Sequence, residues 1–225
     1  MHDRTAHHLS GDTRDDPCLP TRLIDVGSEG DDLVWLWEPS AGDLAEYTAL
    51  SHPWGVPPYF CTYRDNLHEH ITCGIPTASL PATFQDAVTV TRKLGIRHLW
   101  IDSICIIQGP DGDFSEEAKR MEQVFSGATC VLAASCASGQ SDGFLKPRRE
   151  RDYVTLRQSP SQSAFYVCEL VDDFNDHVLH GRLCSRGWVL QEHALARRTI
   201  FFTEYQTYWE CSEGVRCETG TKTSK

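Results

Sequence analysis

The chain has 225 residues, of which 40% are hydrophobic, and it carries a formal net charge of −11 at pH 7. This is enough apolar material for one domain with a substantial core. The negative charge argues against binding to phosphate backbones or anionic lipid, and no apolar run approaches the roughly 18 residues of a membrane span, so neither nucleic-acid binding nor a membrane span is expected.

The two ends of the chain are polar. Residues 1–20 are rich in Asp and His and lack the period of a helix or strand, which predicts a flexible arm. The first eight residues also lack the apolar core of a secretory signal, so we expect a cytoplasmic location. Residues 218–225 are expected to form a flexible tail, which leaves one domain over residues 21–217.

Two short apolar runs predict the first strands, at Leu33–Trp37 and Tyr47–Ser51. The second run stops at residues 52–55, His-Pro-Trp-Gly, where the proline and the glycine force a loop. Ser51 and Trp54 are therefore expected at the end of a strand.

The next segment alternates between helix and strand signals. Apolar residues at helical spacing predict a helix over Leu80–Leu94, with Gly95 as its stop. Arg97–Ile107 is then predicted to be a strand buried on both faces, with Asp102 as a charge inside it. A buried carboxylate must be paired or lie at the strand's carboxyl end, which is where ligands bind in open parallel sheets.

A second helix is predicted over Asp113–Ser126, with Asp113 and Glu116 as a capping pair, followed by a strand over Thr129–Ser135. The order strand, helix, strand, helix, strand is typical of a parallel sheet covered by helices. The small polar loop at 137–143 lacks the lysine and the spacing of a nucleotide phosphate loop.

The last third of the chain adds an insertion over residues 146–180, with a possible hairpin formed by Tyr153–Arg157 and Ala164–Leu170. A helix over Arg186–Ala196 and strands over Thr199–Phe202 and Thr207–Cys211 follow.

The ten cysteines are scattered and several lie in apolar runs, so we interpret most of them as reduced core residues. None has the spacing of a zinc site, and no metal is expected. Cys105 could act as a nucleophile if His98 or His52 lay nearby, but its apolar neighbours favour an inert thiol.

Three blocks together resemble the fungal heterokaryon-incompatibility (HET) domain: Tyr47–Gly55, Leu80–Gln108 and Arg186–Glu192, with core motifs spanning residues 47–211. The family usually has Tyr in place of His52 and a bulky aliphatic residue or Cys in place of Pro53. HET domains are in turn similar to Toll/interleukin-receptor (TIR) domains. The resemblance therefore implies a TIR-like, flavodoxin-like α/β fold, a parallel sheet flanked by helices with inserted loops and a hairpin.

The resemblance also implies a function. HET domains trigger programmed cell death in non-self recognition, and some TIR domains cleave NAD at the nicotinamide bond and assemble as oligomers. NAD as a substrate, no resident cofactor and a homo-oligomer are therefore expected. The TIR segment has a Trp shortly before its catalytic glutamate, which maps onto Trp188 and Glu192. Arg186 and Asp102 would orient the glutamate or the pyrophosphate, and Trp188 would hold the base.

Alternatives remain for each of these residues. Trp188 and Glu192, which share one helix face, are equally a core tryptophan and a solvated glutamate. The alternative for Asp102 is a structural pair with Arg186 or Arg97.

Ser51 and Trp54 are candidates to contact phosphate or base, and the alternative for Trp54 is a lid residue packed on the core. For the whole chain, the rivals to NAD cleavage are a non-catalytic signalling module that recruits a death effector and a cysteine-dependent hydrolase that uses Cys105.

Overall fold

The computed structural model describes residues 19–148, 152–157, 163–168, 173–181, 183 and 194–223. These residues form one large sheet, a separate hairpin and short helices. The strands are β1 (Leu23–Asp25), β2 (Leu33–Trp37), β3 (Tyr47–Ser51), β4 (Ile75–Pro76), β5 (His98–Trp100), β6 (Cys130–Ala133), β7 (Tyr153–Leu156), β8 (Phe165–Cys168), β9 (Arg198–Phe202), β10 (Thr207–Cys211), β11 (Gly214–Cys217) and β12 (Lys222–Thr223). The α-helices are α1 (Leu67–Thr72), α2 (Ala82–Lys93), α3 (Asp102–Cys105), α4 (Phe114–Glu117) and α5 (Met121–Gly127).

The large sheet has ten strands in the order β12-β11-β10-β9-β6-β3-β5-β1-β2-β4. Its four middle strands, β9, β6, β3 and β5, are parallel, and the strands on both flanks are antiparallel. The fold is therefore mixed α/β, with a parallel centre where the sequence predicts one. From β3 the chain adds β5 on one side and then β6 on the other, so the direction of growth reverses at β3.

The core is built around β3, whose five residues are all buried. Helix α2 covers the sheet with one face, which carries the buried residues Phe84, Ala87 and Val88 at positions i, i+3 and i+4. This helix confirms the prediction made for residues 80–94. Trp100 at the end of β5 packs edge-on against Phe125 of α5, with ring centroids 5.6 Å apart.

The strand predicted over residues 97–107 is wrong beyond Trp100. The chain turns into α3 at Asp102, because Ile101 O accepts hydrogen bonds from the amides of Ile104 and Cys105 at 3.1 and 2.7 Å. The apolar run that follows stays buried although it has left the sheet. The apolar residues of this segment therefore identified burial correctly but not the secondary structure.

The helix predicted over residues 113–126 is divided into α4, a 3-10 turn (Ala118–Arg120) and α5. The expected capping pair is also wrong, because the Asp113 carboxylate is engaged elsewhere. Its Oδ1 accepts a hydrogen bond from Ile107 N at 2.8 Å, and its Oδ2 pairs with Arg22 Nη2 at 2.7 Å.

The hairpin predicted in the insertion is confirmed as β7 and β8, which pair antiparallel and form a sheet of their own. The strands predicted at 199–202 and 207–211 are confirmed as β9 and β10. The segment expected to be a flexible tail includes β12, which pairs with β11. Most of the helix predicted over residues 186–196 lies outside the described residues.

Residues 19 and 20, the last two of the expected arm, pack against the domain, and Pro20 is buried. Residues 1–18 lie outside the described part. Among the described residues, no helix is long and apolar enough to cross a membrane.

Candidate functional site

The candidate site lies where the parallel strands β3, β5 and β6 end. Because these strands are parallel, the loops after Ser51, Trp100 and Ala133 leave the sheet at the same edge. This is also the place where the growth of the sheet reverses. In open α/β sheets, ligands bind at the carboxyl ends of the strands at such a reversal.

Two residues singled out from the sequence meet at this edge. Trp54 Nε1 donates a hydrogen bond to Asp102 Oδ2 at 2.7 Å, which joins the loop after β3 to the start of α3. The other carboxylate oxygen accepts a hydrogen bond from Ser103 N at 2.7 Å. The Asp102 side chain is 26% exposed, so its carboxylate is both fixed and open to solvent.

A buried histidine stands next to this carboxylate. His52 Nδ1 lies 4.0 Å from Asp102 Oδ1, and the imidazole packs edge-on against Phe84 at a centroid distance of 5.1 Å. The alternative pairing of Asp102 with Arg97 is wrong, because Arg97 binds Asp25 at 2.8 Å near the opposite end of β5. A pairing with Arg186 lies outside the described residues.

The alternative interpretation, that Trp54 is a lid packed on the core, accounts for only some of its contacts. Its ring is partly exposed and meets Tyr59 edge-on at a centroid distance of 5.3 Å. Ser51 is 3% exposed inside β3, so its hydroxyl does not line an open surface in this conformation.

The loop after β6 borders the site, although no role at the site was predicted for it from the sequence. Gln140 donates from its backbone N to Trp54 O at 3.3 Å, and its Oε1 accepts from Phe60 N at 2.7 Å. Its Nε2 is buried and has no hydrogen-bond partner among the described residues. A buried donor thus remains beside the Trp54 loop, where a ligand or water could accept from it.

Gly55 and Gly139 allow the loops after β3 and β6 to come into contact. A Cβ on Gly139 would lie 2.9 Å from Gly55 Cα, and Gly55 itself has a φ of 80°. Neither position accepts a side chain without displacement of backbone. This contact had a signal in the sequence, since both glycines lie in short loops that follow apolar strands.

A cavity of about 680 Å³ opens farther along the same edge, beyond β6 and β9. This volume falls in the range of small-molecule sites. Phe144 and Phe202 supply an aromatic wall, with centroids 4.6 Å apart, and Lys146 and Arg148 supply cations. Arg148 also donates to Thr207 Oγ1 at 2.9 Å and pairs with Glu218.

Cys105 does not have the setting of a nucleophile. It is completely buried in α3, and burial raises the pKa of its thiol to about 12. At neutral pH it is therefore a thiol and not a thiolate. His98 cannot assist it, because that residue begins β5 at the opposite edge of the sheet and stacks on Trp37.

The three residues that the resemblance assigns to catalysis and base binding, Arg186, Trp188 and Glu192, lie outside the described residues. In the described part of the chain, no group of three or more His, Cys, Asp or Glu side chains is arranged to hold a metal ion.

Comparison with known proteins gave one result. A family model described as heterokaryon incompatibility protein (HET) matches residues 47–192, more than half of the chain. Neither the curated proteins nor the solved structures include a match to this chain.

Proposed function

Because the chain belongs to the heterokaryon incompatibility family, we propose that it triggers programmed cell death in fungal non-self recognition, and that it does so by cleaving NAD. We also propose that it acts in the cytoplasm as a homo-oligomer. The family match runs from Tyr47 to Glu192, so it includes the Trp54–Asp102 pair and the segment that carries the assigned glutamate.

The observation that carries the NAD proposal is the hydrogen bond between Trp54 and Asp102 at the reversal of the sheet. Numbered along the chain, the four parallel strands have the spatial order 2-1-3-4. This matches the start of the flavodoxin-like order 2-1-3-4-5, in which nucleotides bind at the reversal. The order supports a TIR-like fold, and the pair puts a carboxylate and an aromatic ring where such a fold binds its ligand.

The chemistry needs a carboxylate beside the anomeric carbon. The bond between nicotinamide and ribose breaks through an oxocarbenium-like state, which a negative charge stabilises. Glu192 is the proposed carboxylate. Nicotinamide leaves with the bonding electron pair, water adds to the anomeric carbon and loses a proton, and the products are nicotinamide, ADP-ribose and H⁺.

The remaining residues would bind the substrate. The Asp102 carboxylate keeps lone pairs for ribose hydroxyls beyond the bonds that Trp54 and Ser103 make to it. Arg186 is proposed to contact the pyrophosphate, and Trp188 to stack on the base.

The test is NAD consumption by the purified protein, at high concentration or with a crowding agent to permit assembly. Wild type is compared with Glu192→Ala and with Glu122→Ala, which removes an exposed helix glutamate as a control. We expect wild type and Glu122→Ala to release nicotinamide, and Glu192→Ala to release none. Turnover that persists in folded Glu192→Ala would remove this residue from the mechanism.

The rival signalling module gives a different result. It predicts no NAD turnover in folded wild type, and Glu192→Ala that still kills cells when overexpressed. That pair of results would replace NAD cleavage with recruitment of a death effector.

A further inference from the structure

The cavity at the carboxyl ends of β6 and β9 has no part in the proposed cleavage of NAD. Its volume of about 680 Å³ is sufficient for a small-molecule ligand. Three kinds of side chain line it: an aromatic wall of Phe144 and Phe202, a cationic rim of Lys146 and Arg148, and the carboxylate of Glu204. Each of them matches a different part of one class of ligand.

The aromatic wall offers a surface for a planar ring. The ring centroids of Phe144 and Phe202 are 4.6 Å apart, with an angle of 43° between the planes. Phe144 is buried and Phe202 is half-buried, so the wall belongs to the core of the domain and keeps its position. Bases pack on aromatic side chains with little regard to sequence, because every base has a π face.

The cationic rim offers donors to an anion. Arg148 Nη2 donates to Thr207 Oγ1 at 2.9 Å and Nη1 pairs with Glu218, which fixes the guanidinium and uses two of its five N–H groups. Lys146 Nζ lies 3.8 Å from Asp142 Oδ2, farther than a hydrogen bond. Both ion pairs are exposed to solvent and stabilise the fold little. A phosphate dianion can therefore engage both cations.

Glu204 adds an acceptor to the same cavity. It lies in the turn between β9 and β10, and its side chain is exposed. A carboxylate accepts hydrogen bonds from hydroxyl and amino groups, both of which a nucleoside carries. An aromatic anion without such donors would only be repelled by this carboxylate. The lining residues together therefore favour a ligand with a base, a sugar and a phosphate.

Hydrogen bonds from the main chain hold the cavity in shape. Asp86 Oδ2 on α2 accepts from Phe144 N at 2.6 Å and from Leu145 N at 2.9 Å. Cys136 N donates to Phe202 O at 2.9 Å, which joins the loop after β6 to the end of β9. Because the walls are already ordered, a ligand that binds here loses little of its binding energy to ordering them.

We propose that this cavity binds a nucleoside monophosphate, with its base on the aromatic wall, its ribose at Glu204 and its phosphate on the cationic rim. The site is separate from the edge at Trp54 and Asp102, where NAD is proposed to bind. Binding of the monophosphate breaks no bond, and it does not require that the chain cleaves NAD.

The first experiment is calorimetric titration of the whole chain with AMP up to about 10 mM, where one site should approach saturation. Arg148→Gln and Lys146→Gln should each weaken AMP binding at least about tenfold, because each removes a charged donor to the phosphate. Lys119→Gln is the matched control, since it removes another exposed lysine that is paired with an acid, and should bind AMP as wild type does. Adenosine and inorganic phosphate should each bind more weakly than AMP. Circular dichroism spectra that match wild type show that each variant is folded.

The second experiment locates the bound AMP through Cys136, a half-buried thiol that lines the cavity. Burial raises the pKa of this thiol, so alkylation by iodoacetamide is followed at about pH 9. AMP should slow the alkylation of Cys136, in wild type and in Asp102→Asn alike, and leave the rate at exposed Cys73 unchanged.

Four results would overturn the proposal. AMP fails to bind, AMP binds Arg148→Gln as tightly as wild type, or phosphate alone binds as tightly as AMP, which would leave a bare anion site. The fourth is loss of AMP binding in folded Asp102→Asn, which would place AMP at the Trp54 edge instead.

Discussion

Strands β3 and β7 have similar sequences and opposite surroundings. The first begins Tyr47-Thr-Ala-Leu and the second reads Tyr153-Val-Thr-Leu, yet every residue of β3 is buried and every residue of β7 is exposed. The difference lies in their neighbours, since β3 is bonded on both sides by parallel strands and β7 on one side by its hairpin partner. Strand propensity therefore predicts a strand, and the rest of the fold decides its burial.

The edge strands of the two sheets also differ. The outer strands of the large sheet, β4 and β12, have two residues each, and Pro76 lies in β4. Short edges and proline prevent further strands from adding. The hairpin has four-residue strands without proline and lacks that protection.

The largest expected effect is a core truncation in the large sheet. Leu99 in β5 is fully buried, so Leu99→Ala should lower the free energy of unfolding by about 2–5 kcal/mol through lost burial and a cavity. Denaturant unfolding measures it. A loss below about 1 kcal/mol would mean that the sheet centre is looser than its burial indicates.

A smaller effect is expected at the site. Asp102→Ala removes the carboxylate that accepts hydrogen bonds from Trp54 Nε1 and Ser103 N, and should lower the free energy of unfolding by about 1–3 kcal/mol. Trp54→Phe keeps the ring and should cost about 1 kcal/mol. If both variants unfold at the wild-type denaturant concentration, the hydrogen bond does not hold this edge together.

The stability of the fold should depend on pH through a buried histidine and not through an exposed one. Burial lowers the pKa of His70, whose Nδ1 lies 3.0 Å from Thr62 Oγ1. Because the unfolded chain keeps the ordinary pKa near 6.5, it binds the proton first, and stability falls as the pH drops below that value.

The slope from this single group cannot exceed about 1.4 kcal/mol per pH unit. His70→Gln should flatten the curve of unfolding free energy against pH between 7 and 5. The control His68→Gln, on the exposed face of the same helix, should leave the curve unchanged. Equal effects of both variants would place the pH dependence elsewhere.

The smallest effect is expected in the hairpin. Leu156 is 52% exposed, so Leu156→Ala in dilute protein should change the free energy of unfolding by less than about 0.5 kcal/mol. The same truncation at Leu99 makes the matched comparison. A loss in Leu156→Ala as large as in Leu99→Ala would show that the Leu156 side chain is buried in the monomer.

Prediction from the sequence succeeded where local signals were strong. The strands Leu33–Trp37 and Tyr47–Ser51 were located to the residue, because apolar runs ended at proline and glycine. Helix α2 followed from helical spacing and from Gly95. Strands β1, β4, β11 and β12 were missed because their two to four residues do not lie in a longer apolar run and carry no measurable period.

The sequence by itself determined the elements that have their own boundary signals, the parallel centre implied by their order, and the position of Trp54 in the loop after a strand. The tertiary structure alone decided that Asp102 leaves the sheet and accepts the Trp54 indole N–H, and that Gly55 meets Gly139. Contacts between residues far apart in the chain depend on how strands are ordered and where loops cross. A local pattern does not contain that information, and for the same reason it could not separate buried β3 from exposed β7.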